Sequence, residues 1–223
     1  QGQKKDATSL TRVYFNDGRA GFGANIELPG LHNGEVAWAD YDVDGDLDLA
    51  LSGVDDRVPA LRLYRNEGRG QLSAANLSLT GIQSSDLAWG DYDGDGDADL
   101  AVGGFTASNE KVTTLYQNQG NGELSAVEGT TFPGIRSGDL VWGDYDNDQY
   151  MDLFLVGTAD GNLPTLSIHR NLLGGLTTPD TPFERDVSLD NLQNNQGLTG
   201  SAISLADIDG DGDLDLVSAG RNA

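Results

Sequence analysis

The sequence has no cysteine and few basic residues. Its 223 residues include 13 Lys and Arg against 36 Asp and Glu, which gives a formal net charge of −23. Such a charge repels phosphate backbones and anionic lipid, so it argues against nucleic acid and anionic membranes as partners. Because no disulfide can form, stability must come from a hydrophobic core and from any bound metal.

Long apolar runs are also missing. No stretch approaches 18 consecutive apolar residues, so we expect no membrane-spanning helix. The sequence begins at Gln1 without a methionine or a signal sequence. We interpret this as a mature form or a fragment from which a targeting segment is already absent. The length suffices for one large domain or for a repeat array.

An acidic nine-residue segment occurs four times. The copies, called acidic loops 1 to 4 below, span residues 40–48 (DYDVDGDLD), 91–99 (DYDGDGDAD), 144–152 (DYDNDQYMD) and 207–215 (DIDGDGDLD). With loop positions numbered 1 to 9, aspartate occupies positions 1, 3, 5 and 9 in every copy, and glycine occupies position 6 in three copies. These segments therefore hold much of the negative charge in a local arrangement.

Carboxylates on alternate residues of a tight loop predict a site for a hard cation such as calcium, which takes about six to eight oxygen ligands. Glycine at position 6 permits a left-handed bend that brings position 9 back to the same centre. The carbonyl of position 7 is then available as a further ligand. The alternative is a solvated Asp/Gly turn without metal, which four matching copies disfavour.

The flanking residues distinguish these loops from EF-hands. An EF-hand needs glutamate at position 12 and a helix on each side. Position 12 here is occupied by Leu51, Val102, Leu155 and Ser218. The flanks alternate in polarity instead, as in Val36-Ala37-Trp38-Ala39 before acidic loop 1. A period of two predicts strands, so each acidic loop is predicted to join two strands of a hairpin.

A second unit recurs between the acidic loops. An apolar and aromatic strand runs into Asn-x-Gly at residues 13–18, 63–68 and 115–120, with a degenerate copy at 168–171. This pattern is typical of a hairpin. The first Asp of the acidic loops recurs with spacings of 51, 53 and 63 residues. Four short strands in each unit of about 50 residues predict an all-β fold, a β-propeller of four-stranded blades without helices.

We predict one propeller domain over residues 1–223, with blades around residues 31–80, 81–132 and 133–196. Residues 197–223 would supply strands one and two of a shared or partial blade, and residues 1–30 would supply strands three and four. This division of strands between the two ends of the chain fits a four-bladed ring in which the termini share one blade. It fits equally a segment of a seven- or eight-bladed propeller. The long last spacing indicates an insertion within residues 172–197, which we expect to be a surface loop.

The three tryptophans follow the same register. Trp38, Trp89 and Trp142 each stand two residues before an acidic loop, and Leu205 takes this place in the fourth copy. A small residue, Ala or Gly, follows each of them. A large side chain beside a small one suits blades packed face to face. We therefore predict that these rings lie in the core rather than stack on sugars.

The sequence resembles the FG-GAP/VCBS repeats of integrin α-chain propellers and of many secreted microbial proteins. The resemblance rests on WGDYDGDGDADL at residues 89–100 and its cognates, together with the Tyr-x-Asn strand, and extends over nearly the whole chain. It implies up to four Ca²⁺ ions, bound by the side chains of positions 1, 3, 5 and 9 and by the carbonyl of position 7.

The implied side-chain ligands are Asp40, Asp42, Asp44, Asp48, Asp91, Asp93, Asp95, Asp99, Asp144, Asp146, Asp148, Asp152, Asp207, Asp209, Asp211 and Asp215. The implied carbonyl ligands are Asp46, Asp97, Tyr150 and Asp213. Acidic loop 3 departs from the family pattern, because Gln149 replaces the glycine of position 6. A left-handed turn costs a non-glycine residue about 1–2 kcal/mol, so we expect this site to be the weakest.

We expect a calcium-binding extracellular module, secreted or at a cell surface, that binds a protein or glycan ligand. Nucleic acid and membrane insertion are not expected. Since catalytic metals keep an open position in one special site, whereas these ligands repeat in every blade, we predict that the chain is not itself an enzyme. The alternatives are an accessory propeller of a secreted polysaccharide-acting enzyme and a structural repeat of a surface filament. Ligand binding is expected opposite the acidic loops or on the 172–197 insertion.

Overall fold

The computed structural model describes residues 9–173, 181–191 and 198–221. These residues form sixteen strands and two single-turn 3₁₀ segments, Asp160–Asn162 and Ser188–Asn191, where we expected no helical turn. The strands are β1 (Thr11–Asn16), β2 (Phe22–Leu28), β3 (Val36–Ala39), β4 (Asp48–Asp55), β5 (Val58–Asn66), β6 (Leu72–Ala74), β7 (Gln83–Gly90), β8 (Asp99–Phe105), β9 (Lys111–Asn118), β10 (Leu124–Ala126), β11 (Arg136–Gly143), β12 (Asp152–Thr158), β13 (Pro164–Asn171), β14 (Phe183–Asp186), β15 (Thr199–Ala206) and β16 (Asp215–Arg221).

Three four-stranded antiparallel sheets follow one another along the chain, and the strands of each sheet lie in sequence order. We call β3–β6 the first blade, β7–β10 the second blade and β11–β14 the third blade. Acidic loops 1 to 3 each join the first strand of a blade to its second strand. The predicted all-β fold with four-stranded propeller blades is confirmed. Within the described residues, no helix is long and apolar enough to cross a membrane.

Two further sheets have two strands each, β1–β2 near the start of the chain and β15–β16 near its end. β1 ends at Asn16 as β5 ends at Asn66, so β1–β2 correspond to the third and fourth strands of a blade. Acidic loop 4 joins β15 to β16, which correspond to the first and second strands. In the part of the chain that the structure describes, these sheets are not hydrogen-bonded to each other. A shared blade stays a prediction.

The third blade corrects our expectation of a surface loop over residues 172–197. Residues 174–180 and 192–197 lie outside the described residues, but β14 falls between them and pairs with β13 as the fourth strand of the blade. Phe183 in β14 is buried against Tyr92, Phe132 and Trp142. The strand escaped the sequence analysis because it lies farther from its Asn-containing strand than β6 and β10 do from theirs.

Successive blades pack through their first strands, with β7 against β3 and β11, and β11 against β15. A large side chain of one blade covers a small residue of the preceding blade. A Cβ atom added to Gly90 would lie 2.6 Å from Cδ1 of Trp142, and Gly143 faces Leu205 in the same way. Because interiors are close-packed, the small residues are needed to let the blades approach.

Two of the three tryptophans pack as predicted. Trp89 stacks on Tyr41 of the first blade, with 6.1 Å between the ring centroids, and Trp142 joins the cluster around Phe183. Trp38 is 45% exposed, so the prediction of a core position is wrong for this ring. The preceding sheet consists of β1 and β2, which correspond to outer strands, and it has no first strand to receive the indole.

A buried asparagine hydrogen-bonds the second blade to the first, and another hydrogen-bonds the third blade to the second. Nδ2 of Asn118 donates to the carbonyl oxygen of Tyr41 at 2.6 Å, and Nδ2 of Asn171 donates to that of Tyr92 at 2.6 Å. Both asparagines are almost fully buried. Nδ2 of Asn66, the equivalent residue of the first blade, donates within its own blade.

Substitution of the bridging asparagine tests this interface. We expect Asn118→Ala to lower the free energy of unfolding by about 3 kcal/mol, because it leaves buried carbonyl oxygens without a donor. Asn66→Ala, which removes no described inter-blade bond, is expected to cost about 1 kcal/mol. Urea unfolding monitored by tryptophan fluorescence measures both values. Equal losses would show that the bond to Tyr41 contributes nothing.

A carboxylate pair lies between the first strands of the second and third blades. Asp86 accepts a hydrogen bond from the amide of Leu140 in the next blade, and Oδ2 of Asp139 accepts one from the amide of Ile203 at 2.8 Å. Burial and the adjacent Asp139 carboxylate raise the pKa of Asp86 to about 7. The two acids thus connect three successive first strands.

This pair predicts a pH dependence of stability. The folded-state pKa of Asp86 lies above the unfolded value of about 4, so the folded state binds more protons between about pH 4 and pH 7, and stability falls as pH rises through this window. Asp86→Asn is expected to remove roughly 4 kcal/mol of this fall. Urea unfolding at several pH values measures it, and Asp56→Asn, at an exposed turn, is the control. An unchanged slope in Asp86→Asn would contradict the assignment.

Candidate metal centre

The backbone of each acidic loop turns through two left-handed residues, at positions 4 and 6. The φ values at position 6 are 95° for Gly45, 96° for Gly96, 77° for Gln149 and 97° for Gly212. Gln149 therefore adopts the left-handed bend that its loop requires, as predicted, and carries the strain that glycine avoids. Position 4 is left-handed too, at Val43, Gly94, Asn147 and Gly210.

The carboxylate of position 1 organises each loop by accepting backbone amides. In acidic loop 1, Oδ1 of Asp40 accepts the amide of Asp44 at 3.1 Å, and Oδ2 accepts that of Gly45 at 3.0 Å. The same two bonds recur in the other three loops. These bonds hold the chain in a tight curve with its carboxylates on the inside.

The carboxylate of position 9 is buried in the three complete blades, at Asp48, Asp99 and Asp152. Oδ2 of Asp99 accepts the amide of Tyr92 in the loop at 3.0 Å, and Oδ1 accepts the amide of Asn118 in the third strand at 2.8 Å. Asp48 and Asp152 make the equivalent pair of bonds. Position 9 thus ties the loop to the body of the blade.

The structure brings together the carboxylates of positions 1, 3 and 9 in every loop. One oxygen from each lies within 4.8 Å of the others, and the four groups are Asp40, Asp42 and Asp48; Asp91, Asp93 and Asp99; Asp144, Asp146 and Asp152; and Asp207, Asp209 and Asp215. The group in acidic loop 4 is the most exposed. This spacing allows one cation to contact three carboxylates.

The predicted ligands at positions 5 and 7 lie differently. The position-5 carboxylates, at Asp44, Asp95, Asp148 and Asp211, stand outside these groups, and each accepts the amide of position 7 through Oδ1. The role of the position-7 carbonyls, at Asp46, Asp97, Tyr150 and Asp213, stays a prediction. Position 7 also has a side-chain contact in loop 4, where Oδ1 of Asp213 accepts Nδ2 of Asn147 of acidic loop 3 at 2.8 Å.

The donor set fits calcium, since every group offers hard carboxylate oxygens. A more specific sign comes from Asp42, whose side chain is 9% exposed. Its Oδ1 atom is shielded from solvent and has no hydrogen-bond partner among the described residues. An anionic oxygen in this state costs free energy unless a cation or another donor satisfies it. The group that contains Asp42 supplies the place for such a cation.

The electrostatics of the acidic loops point the same way. Burial raises the pKa of Asp99 to about 7 and that of Asp152 to about 6, although two backbone amides partly offset the effect in each case. Burial also raises the pKa of Asp48. A dication bound beside these carboxylates would favour their ionised forms and so offset the effect of burial.

In each complete blade, the residue before the strand-three asparagine faces the acidic loop. The sequence analysis did not identify this residue. In the first blade, Nε of Arg65 lies 2.6 Å from Oδ2 of Asp42. In the second blade, Nε2 of Gln117 donates to Oδ2 of Asp93 at 2.6 Å. Since side chains alternate along a strand, the fixed offset from Asn66 and Asn118 could have identified them.

Comparisons with known proteins agree with the architecture. The FG-GAP-like repeat matches residues 40–102 and 105–155, just over half of the chain, and the FG-GAP repeat matches residues 85–123. The fold and loops are those of a propeller-type repeat protein. The chain belongs to the FG-GAP-like repeat family. A search of curated proteins found none that matches.

A solved structure from Agrocybe aegerita has a similar fold. It is described as the structural basis of specific recognition of non-reducing terminal N-acetylglucosamine by a lectin. The TM-score is 0.53 at 18% sequence identity, and the match covers 85% of this chain and 48% of the lectin chain. The present chain therefore spans about half the length of that protein, and the likeness concerns the fold.

The left-handed Gln149 provides a direct test of the loop geometry. Gln149→Gly should relieve strain and raise stability by about 1 kcal/mol, whereas Gly96→Gln should lower it by a similar amount. Thermal melting in calcium and in EGTA measures both effects. No gain in Gln149→Gly under either condition would contradict the assignment of strain to this residue.

Proposed function

We propose that the chain is a calcium-stabilised extracellular β-propeller module that binds a glycan or protein ligand. The observation that carries the calcium assignment is the same three-carboxylate group in all four acidic loops, together with the shielded, unpartnered Oδ1 of Asp42. Positions 1, 3 and 9 would hold the ion, with oxygens of positions 5 and 7 as further candidates. The bound ion would neutralise carboxylates that otherwise repel one another at close range.

We infer an extracellular location from the same proposed chemistry. Extracellular calcium modules bind the ion with dissociation constants of about 10⁻⁴–10⁻³ M, so such sites fill only where calcium is abundant. The formal charge of −23 also favours calcium over any anionic partner. The extracellular location is part of the proposed function.

Calcium should raise the stability of the folded chain. At about 1 mM calcium and a Kd of about 0.1 mM, each site would contribute roughly 1.4 kcal/mol. We expect a higher melting temperature in calcium than in EGTA, a smaller rise for Asp93→Asn, and the full rise for the exposed control Asp56→Asn. Differential scanning calorimetry measures these shifts. Melting that is indifferent to EGTA would contradict the calcium assignment.

The ligand half of the proposal draws support from the fold that the chain shares with a lectin. A polar groove of about 370 Å³ lies between the first and second blades, beside acidic loop 1. Its lining includes Tyr41, Arg65, Asn76, Asn121 and Glu123. Hydrogen-bond donors and acceptors that converge in a groove are suited to a sugar. The groove lies on the acidic-loop side, whereas the sequence analysis favoured the opposite face.

A glycan array in calcium tests this assignment, with glycans that carry terminal N-acetylglucosamine included. We expect binding that is lost in EGTA and reduced at least several-fold in Glu123→Ala, because one bidentate acceptor is removed. Glu110→Ala, at an exposed turn outside the groove, is the matched control. Binding that is unchanged in Glu123→Ala would remove the groove from the proposal. If neither the glycan array nor a protein-binding screen finds a calcium-dependent ligand, the proposal that the chain binds a glycan or protein is contradicted.

We also propose that the chain is not a catalyst. In every acidic loop the carboxylates face one another, and Asp86 and Asp139 are engaged by amides of neighbouring strands. A general acid or base needs to reach a substrate. Turnover of a polysaccharide or model ester in calcium, lost on substitution of one loop's aspartates with folding intact, would contradict this.

A further inference from the structure

We propose that the residue before the strand-three asparagine sets the calcium affinity of the acidic loop in its own blade. This residue is Arg65 in the first blade and Gln117 in the second blade. The inference rests on the proposed calcium binding and adds a ranking within it, with acidic loop 2 tighter than acidic loop 1.

Arg65 and Gln117 contact equivalent atoms of their acidic loops. Nε of Arg65 lies 2.6 Å from Oδ2 of Asp42, and Nε2 of Gln117 lies 2.6 Å from Oδ2 of Asp93. Both aspartates occupy position 3. Each contact therefore orients one oxygen of the position-3 carboxylate and leaves the other oxygen for the cation. Arginine does this with a full positive charge, and glutamine does it with a neutral amide.

The difference in charge acts directly on the site. Arg65 neutralises a carboxylate that a dication needs, and its guanidinium repels the ion. For a single charge about 6 Å from a dication in a water-like dielectric, the repulsion lowers affinity about tenfold. The Asp42 side chain is 9% exposed and the Arg65 side chain is 42% exposed, so solvent screens the guanidinium in part.

The third blade has an intermediate arrangement. Arg170 takes the equivalent place, but its Nη2 lies 3.2 Å from Oε2 of Glu184 in β14. The guanidinium of Arg170 therefore shares its charge between Asp146 and the carboxylate of Glu184. Acidic loop 3 also contains Gln149 at position 6, so its affinity reflects two differences at once. The proposal is therefore tested in acidic loops 1 and 2.

Acidic loops 1 and 2 also differ at position 4, where Val43 and Gly94 are both left-handed. Valine adopts this backbone at a cost, which would weaken acidic loop 1 for a separate reason. A comparison of the two wild-type loops thus cannot assign the cause. A reciprocal exchange of the strand residues, Arg65→Gln and Gln117→Arg, leaves position 4 unchanged in both loops and isolates the effect.

The test is a calcium titration of the full chain followed by two-dimensional ¹H–¹⁵N NMR, with the amides of Gly45 and Gly96 as separate reporters of acidic loops 1 and 2. We expect Arg65→Gln to lower the Kd reported by Gly45 about five- to tenfold, and Gln117→Arg to raise the Kd reported by Gly96 by a similar factor. The reporter of the other loop should change less than about twofold in each variant.

Arg62→Gln is the matched control, because it removes the same charge from the same strand at a residue that pairs with Asp55 rather than with a loop. If Arg62→Gln changes the Gly45 reporter as much as Arg65→Gln does, long-range charge explains the effect and the proposal is overturned. Dissociation constants that stay within about twofold in both exchange variants also overturn it, while calcium binding stands. If no loop amide shifts up to about 10 mM calcium, both this inference and the proposed function fail.

Discussion

A buried carboxylate at the end of each acidic loop holds a complete blade together. Asp99 accepts one amide from its loop and one from the third strand, and Asp48 and Asp152 do the same. The loop, the second strand and the third strand are thus fixed relative to one another by a single side chain. In the second and third blades, the asparagine whose amide it accepts also bridges to the preceding blade. Blade geometry and blade order therefore depend on the same contact.

This arrangement has an electrostatic cost that explains why the loops suit a cation. Taking a carboxylate out of water disfavours its charged form, and two amides compensate only in part, as the raised pKa of Asp99 shows. Two further carboxylates then lie within 4.8 Å of it. The hydrogen bonds that shape the loop therefore create a negative cluster as a by-product. The candidate metal centre and the structural core of the blade are consequently not separable.

Much of the fold and of the candidate metal centre could be predicted because the same local sequence pattern occurs in several repeats. The strand pattern, the loop chemistry and the left-handed Gln149 all follow from comparing one copy with another. Features outside the shared pattern could not be predicted from the sequence. β14 lies in an irregular segment, and Ser84 and Ser137 adopt left-handed backbone at bulges, which serine does not predict. The pairing of Asp86 with Asp139 depends on how neighbouring blades pack, which no local pattern specifies.

The inter-blade contacts have a polarity. Each of the two interfaces between the three complete blades takes a bridging asparagine from the later blade and a carbonyl from the earlier one, and the Trp142 ring likewise covers a glycine of the blade before it. The two sides of a blade are therefore different surfaces, a donor side and a receiving side, that fit only in one order. A deletion between equivalent points of two neighbouring repeats would rejoin a donor side to a receiving side. A cut at any other phase would bring together surfaces that do not match, so whole repeats are the natural unit by which such an array can gain or lose length.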